Sequence, residues 1–217
     1  MKRTPQGGSP HAILLGDSIF DNAAYVPGES PVVEQLRIEL PRSWRSTLLA
    51  VDGNVASDVK RQSQKMPADA SHLVLSVGGN DALNAIELLR APSTSVMHSL
   101  AILTEIRIVF EERYYDCLAS LLALDKPLLL CTIYDSVPNL TAALRTALCL
   151  FNDTIVRLAV EQRLPVLDLR AICRDQDDYS PLSPIEPSAK GGQKIARGIA
   201  NVLMSHNFDS RSCRIFG

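Results

Sequence analysis

The sequence lacks an excess of charge of either sign. Its 217 residues include 22 lysines and arginines against 24 aspartates and glutamates, and the formal net charge at pH 7 is -2. A protein that binds a nucleic-acid backbone needs many basic residues to neutralise the phosphates, and these leave a basic surface. The composition therefore predicts no nucleic-acid partner, and it leaves a small molecule as the expected ligand.

The sequence also lacks paired cysteines. Its five cysteines are odd in number and far apart, and there is no C-x-x-C motif that could hold a metal ion or exchange disulfides. Nor do the histidines show the spacing of metal ligands. We therefore expect free thiols in a reducing, cytoplasmic environment and no metal site. The cysteines are Cys117, Cys131, Cys149, Cys173 and Cys213.

Long apolar segments are missing as well. No run approaches the length of a membrane span, and residues 1–10 are polar, with two glycines and two prolines where a secretion signal would be apolar. We expect a flexible segment over 1–10, one folded domain over 11–206 and a short tail over 207–217. A single domain of this length buries roughly 70% of the surface that its unfolded chain exposes.

What the sequence does have is a series of short apolar runs separated by segments of helical character. The runs are too continuous for strands with one wet face, and they suit a parallel sheet covered by helices on both sides. With right-handed crossovers, this alternation predicts a doubly wound, three-layer α/β/α sandwich with a five-stranded parallel sheet. A ligand site then lies outside the carboxyl ends of the strands. The predicted strands are 11–16, 47–51, 72–77, 127–133 and 164–169, and the main helices are 31–40, 96–124, 141–161 and 188–205.

Three of the predicted strands end in turns that carry polar or glycine residues. Ser18 follows the first strand, Gly53 follows the second, and Asn80 follows the third. In a sheet ordered 2-1-3-4-5 these ends are neighbours, so the three residues can converge. Backbone and carboxamide N–H groups beside a serine are the donors that acyl transfer needs to stabilise its oxyanion. A serine after a strand can also simply cap the next helix.

In the order and placement of these motifs, the sequence resembles the SGNH hydrolases, also called GDSL lipases and esterases, over nearly its whole length. Gly16-Asp17-Ser18 looks like the first family block, Gly53 like the second and Gly79-Asn80-Asp81 like the third. The resemblance implies a flavodoxin-like α/β/α fold, a Ser18 nucleophile and an ester or acylated small molecule as substrate. It also implies an oxyanion hole formed by the Ser18 amide, the Gly53 amide and the Asn80 side chain.

The fourth family block departs from the pattern. The family usually has Asp-x-x-His-Pro before the final helix, with the histidine as general base and the aspartate orienting it. Here Glu186 occupies the histidine position and Ser183 the aspartate position. We therefore expect Glu186 to act as the base, with Ser183 and Asp17 as supporting residues. A glutamate has an unperturbed pKa of about 4.3, so burial must raise its pKa toward roughly 6–7 before it is effective at neutral pH.

The histidines of the chain do not fill the gap. Two begin the first and third strands, at the end of the sheet opposite the expected site, one lies in a helix and one lies near the tail. We expect all four to be structural or surface residues. They are His11, His72, His98 and His206.

Two interpretations of this departure stay open. In the first, the protein is an esterase with a Ser18–Glu186 pair; in the second, the base is lost and the fold serves as an acyl- or carbohydrate-binding module. Retention of Ser18, Gly53 and Asn80 together favours the enzyme, because a binding module has no need of an oxyanion hole. A flavin or nucleotide binder is disfavoured, since no Gly-x-Gly-x-x-Gly run opens a helix. We expect no cofactor.

Overall fold

The middle layer of the protein is a parallel sheet of six strands in the order β2-β1-β3-β4-β5-β6. The structure is a computed structural model that describes residues 9–217. It confirms the predicted α/β class and the strand order 2-1-3-4-5. The strands are β1 (His11–Gly16), β2 (Arg45–Leu48), β3 (His72–Ser76), β4 (Leu128–Cys131), β5 (Val166–Leu167) and β6 (Ile215–Phe216).

The prediction of five strands is wrong, because the segment expected to be a tail supplies a sixth. In β6, Ile215 pairs with Val166 and Phe216 pairs with Leu167. Two residues are too few for an apolar run to be visible in the sequence, and backbone hydrogen bonds join this strand to β5. The Val166 amide donates to the Arg214 carbonyl at 2.9 Å, and the Asp168 amide donates to the Phe216 carbonyl at 2.7 Å.

Helices cover both faces of the sheet, as predicted. Along β1, Ile13 and Leu15 face a core formed with α2, α5 and α6, whereas Ala12 and Leu14 face a core formed with α1, α7 and α8. All four side chains are fully buried, which explains the continuous apolar run in the sequence. The helices are α1 (Val32–Glu39), α2 (Val59–Ser63), α3 (Gly79–Asn84), α4 (Ile86–Leu89), α5 (Val96–Leu122), α6 (Ala142–Gln162), α7 (Leu169–Ile172) and α8 (Ala189–Ser205).

The flexible segment expected over 1–10 lies mostly outside the described residues. Its last residue, Pro10, is described, and its carbonyl accepts a hydrogen bond from the Arg45 amide at 2.9 Å. This bond extends the pairing of β1 and β2 and explains why β2 begins two residues before the predicted strand. As an edge strand with a partly solvated face, β2 does not need a continuous apolar run.

The carboxyl end of β1 passes unusually close to β3. Gly16 has a φ of +128°, and a Cβ atom at this position would lie 1.8 Å from the Ser76 carbonyl oxygen. The next amide, that of Asp17, donates to the same carbonyl at 3.1 Å. Only glycine allows both the backbone angle and the close approach, so Gly16 fixes where the chain leaves the sheet.

We expect Gly16→Ala to reduce the free energy of unfolding by more than about 3 kcal/mol, because the added methyl group must displace a sheet carbonyl as well as strain the backbone. Gly28→Ala is the matched control, since Gly28 also has a positive φ, +82°, but no atom lies within 4 Å of its Cβ position. It should cost only about 1–2 kcal/mol. Urea unfolding measures both values, and equal losses would contradict the crowding at Gly16.

Candidate active site

Ser18, Asn80, Glu186 and Asp17 line one cavity beyond the carboxyl ends of β1 and β3. The cavity and the solvent space at its open mouth together measure about 760 Å³. Most of its wall is apolar and comes from α3, α4, α6 and the loops after β1 and β4. The hydroxyl and carboxyl groups therefore border a space suited to an apolar ligand. Typical wall residues are Ile86, Leu144, Leu148 and Phe151.

Glu186 is a buried carboxyl group in the same cavity wall as Ser18. It is only 4% exposed, and its Oε2 atom has no hydrogen-bond partner within the described residues. Burial raises the pKa of Glu186 to about 7; a hydrogen bond from the Ser18 side chain opposes the rise and the charge of Asp52 adds to it. A carboxyl group with a pKa near neutrality can both accept and return a proton under ordinary conditions.

A short antiparallel bridge presents Glu186 to the cavity. Tyr179 pairs with Pro187 across the loop, and the Ser180 amide donates to the Glu186 carbonyl at 2.8 Å. Ser183, the predicted supporting residue, accepts a hydrogen bond from the Glu186 amide through its backbone carbonyl at 3.0 Å. Ser183 shapes this turn through its backbone and does not line the cavity.

Two buried side chains tie this loop to the rest of the site. The Tyr134 hydroxyl donates to the Ile185 carbonyl at 2.6 Å. The Asn22 Nδ2 atom donates to the Pro187 carbonyl at 3.2 Å, while its Oδ1 atom accepts from an amide at the start of α1. The backbone on either side of Glu186 is thus held, which defines where its side chain leaves the loop.

The two other predicted oxyanion donors, Asn80 and Gly53, are linked by a hydrogen bond to Asn54. The Asn80 Nδ2 atom donates to the Asn54 carbonyl at 3.0 Å, and Asn54 directly follows Gly53. Gly53 has a φ of +78° and is exposed. The structure brings Asn80 to the cavity wall and places the Gly53 turn beside Asn80, but Gly53 itself is not among the cavity residues.

Gln62, on α2, is a site residue that sequence reasoning missed. Its Nε2 atom donates to the Gly16 carbonyl at 2.7 Å and to Asn54 Oδ1 at 2.9 Å, and its Oε1 atom accepts from the Gly16 amide at 2.9 Å. The side chain thereby joins the first turn to the second. No motif marks this glutamine, so only the fold could reveal it.

Asp17 is a second buried carboxyl group. It is 2% exposed, and its Oδ1 atom accepts a hydrogen bond from the Ile19 amide at 3.2 Å. Burial raises the pKa of Asp17 to about 8; the Ile19 amide works against this rise, and the charges of Glu186 and Asp81 add to it. Asp17 is therefore mostly neutral at pH 7 and holds the turn before Ser18 without adding a charge.

The four histidines lie away from the cavity, as expected. His11 bonds to Asp69 through Nδ1 at 3.1 Å and to Thr47 through Nε2 at 2.7 Å, and so links β1 to its neighbours. His72 bonds to Ser71 through Nδ1 at 2.9 Å. Both are structural ties at the amino end of the sheet.

Within the described residues, the carboxylates grouped closely enough to hold a cation are those of Asp175, Asp177 and Asp178. Lys190 donates to Asp177 at 2.7 Å, and Lys194 donates to Asp178 at 2.8 Å. These lysines already supply positive charge, so the group forms an ion-pair network beside α8.

In the described part of the chain, no helix has the length and apolar character required to cross a membrane.

A family model described as the GDSL-like Lipase/Acylhydrolase family matches residues 14–194. No curated protein gives a sequence match to the chain.

Solved structures resemble the fold at low sequence identity. A lipase from a goat-rumen metagenome is 16% identical, with a TM-score of 0.69, over 88% of this chain and 96% of that one. An extracellular lipase from Streptomyces rimosus is 16% identical, with a TM-score of 0.67, over 91% and 100%. A catalytic variant of an acetylxylan esterase from Geobacillus stearothermophilus is 16% identical, with a TM-score of 0.64, over 94% and 98%. At these identities the likeness concerns the fold.

We expect Asp17→Asn to flatten the pH dependence of stability. The folded state keeps a proton on Asp17 up to a pKa of about 8, whereas the unfolded chain releases it above 3.8. The free energy of unfolding must therefore fall as pH rises through this window. Asparagine keeps the acceptor for the Ile19 amide and removes the ionisation.

Urea unfolding between pH 5 and 8 on the parent, on Asp17→Asn and on the exposed control Asp116→Asn provides the measurement. The difference between parent and Asp17→Asn should grow with pH, and the control should follow the parent. A constant difference would contradict the raised pKa.

Proposed function

The chain belongs to the GDSL-like lipase/acylhydrolase family, and from that premise we propose that it is a serine esterase with Ser18 as nucleophile and Glu186 as general base. One observation carries the proposal: Ser18 lines the same apolar cavity as Glu186, a buried carboxyl group whose pKa is raised by burial to about 7. A base must lie within hydrogen-bond reach of the proton that it removes, and its pKa should be near the working pH.

The reaction follows from this arrangement. Ser18 Oγ attacks the ester carbonyl carbon while its proton passes to the Glu186 carboxylate. The resulting oxyanion accepts hydrogen bonds from the Ser18 amide, the Asn80 carboxamide and the Gly53 amide. As the intermediate collapses, the alcohol leaves with the proton from Glu186, and Ser18 remains acylated. Water then attacks the acyl group, gives its proton to Glu186, and the acid leaves as Ser18 regains a proton.

The absence of an orienting aspartate is less damaging for a glutamate than for a histidine. An imidazole must be held in one tautomer, and a carboxylate partner does this. A carboxylate base has two equivalent oxygens and no tautomer to select. Its position is fixed instead through the backbone, by the Ser180 amide and by the Tyr134 and Asn22 side chains that hold its neighbours.

We expect a fluorophosphonate probe to label Ser18, and Ser18→Ala to abolish both labelling and hydrolysis of p-nitrophenyl butyrate. Glu186→Gln keeps the shape but cannot accept a proton, so turnover should fall by roughly 10²–10⁴. In the parent, kcat/KM should rise with pH through a single ionisation near the Glu186 pKa of about 7, because only the carboxylate form is active.

The matched control is Glu112→Gln, which changes an exposed glutamate on α5 and should leave the profile unaltered. Hydrolysis by Glu186→Gln at the parental rate would exclude this base. Failure of the probe to label the folded parent would favour the alternative, an acyl- or carbohydrate-binding module without catalysis.

The apolar wall predicts a preference for longer acyl chains than acetyl. Burying a methylene group contributes about 0.8 kcal/mol, so kcat/KM should increase up to about fourfold per added carbon until the cavity is full. Leu148→Trp, which fills part of the cavity, should reduce activity on p-nitrophenyl octanoate far more than on the acetate. Val160→Trp is the control, since Val160 lies on the same helix but is exposed. Equal activity of the parent on all chain lengths would contradict acyl binding in this cavity.

A further inference from the structure

Beside the cavity, three residues form an acidic rim: Asp21, Tyr25 and Asp52. The Tyr25 hydroxyl donates to Asp52 Oδ2 at 2.7 Å, and the Asp52 amide donates to Asp21 Oδ2 at 3.0 Å. The side chain of Asp52 is solvent-exposed, while Asp21 and Tyr25 are half-buried. The Tyr25 hydroxyl thus reaches the carboxylate of Asp52, which is itself tied to the turn after Ser18.

The acidic rim adjoins the base. The Tyr25 carbonyl accepts a hydrogen bond at 2.7 Å from Ser180 Oγ, and the Ser180 amide bonds to the Glu186 carbonyl. The charge of Asp52 also acts on Glu186 and raises its pKa, so the two carboxyl groups lie within electrostatic range. Glu186 is almost completely buried, and its Oε2 atom is unpartnered among the described residues.

Among the described residues, no ion pair neutralises the carboxylates of the acidic rim. No lysine, arginine or histidine is among the residues that line the cavity. Within residues 9–217, neither Asp21 nor Asp52 forms an ion pair. Lys190 and Lys194 instead form ion pairs with Asp175, Asp177 and Asp178, before α8. A ligand that extends from the cavity past Glu186 therefore meets an aromatic hydroxyl and carboxylates.

We propose that Asp52 determines alcohol specificity, and that the acidic rim selects esters whose alcohol carries a quaternary or primary ammonium group. This inference rests on the proposed esterase activity. With the acyl chain in the apolar cavity, the alcohol points toward the mouth, where a cation gains attraction from Asp52 and Asp21 and contact with Tyr25. An anionic alcohol portion is repelled by the same groups.

The test compares two esters of one shape, butyrylcholine and 3,3-dimethylbutyl butyrate. The second replaces the charged nitrogen by carbon, so the ratio of their kcat/KM values isolates the effect of charge. At low ionic strength the parent should prefer butyrylcholine by about threefold to tenfold, the range expected for a cation near exposed carboxylates. The ratio should fall toward one at 0.5 M salt because the rim is open to solvent.

Asp52→Asn should lower the ratio at low salt to near one. Asparagine can still accept from the Tyr25 hydroxyl and keeps the amide that binds Asp21, so the geometry is preserved. The change also alters the environment of the base, but this affects both esters equally and cancels in the ratio. Asp116→Asn, which removes an exposed aspartate on α5, should keep the parental ratio.

A parental ratio of one or less, or an unchanged ratio in Asp52→Asn, would overturn the role of the acidic rim while leaving the esterase intact. If the parent hydrolyses none of the three esters, including p-nitrophenyl butyrate, the proposed function is contradicted. The proposed alcohol specificity is then contradicted as well, because it rests on that function.

Discussion

The contact between Gly16 and Ser76 is the constraint on which the rest of the site depends. No side chain separates β1 from β3 at this point, and the chain leaves the sheet two residues before Ser18, which lines the cavity. Gln62 then bonds to both backbone groups of Gly16 and reaches across to Asn54. Gln62 thereby joins the first turn to the second, and the Asn80 side chain joins the third turn to the second.

Burial also brings the pKa values of two carboxyl groups of the site close to neutral pH. Asp17 and Glu186 are both almost inaccessible, and burial raises the pKa of Asp17 to about 8 and that of Glu186 to about 7. They differ in what surrounds them. Both line the cavity, but Asp17 accepts a hydrogen bond from an amide of its own turn, whereas Glu186 Oε2 has no partner among the described residues. Asp17 therefore suits a structural role and Glu186 suits proton transfer.

Much of this arrangement could be predicted from the sequence, because it is local. Apolar runs predicted the α/β class, and polar turns after three strands led to Ser18 and Asn80, which the structure places in one cavity with Glu186. The sixth strand was missed because two residues carry no periodic signal. The hydrogen bonds of Gln62 and Tyr134 could not be predicted, because their partners lie 46 and 51 residues away in the chain. The expected cytoplasmic location stays a prediction, and so do the roles of all the site residues: Asp17, Ser18, Gly53, Asn80, Ser183 and Glu186.

The short edge strands have a consequence for how the protein behaves at high concentration. A long, flat edge exposes unpaired amides and carbonyls that recruit strands from other molecules. Here one edge is β2, which starts with the charged side chain of Arg45, and the other is β6, only two residues long, which covers β5. Neither edge offers a template of useful length, so the sheet itself is poorly suited to seed amyloid-like aggregation. Association of the protein in solution would have to proceed through side-chain surfaces.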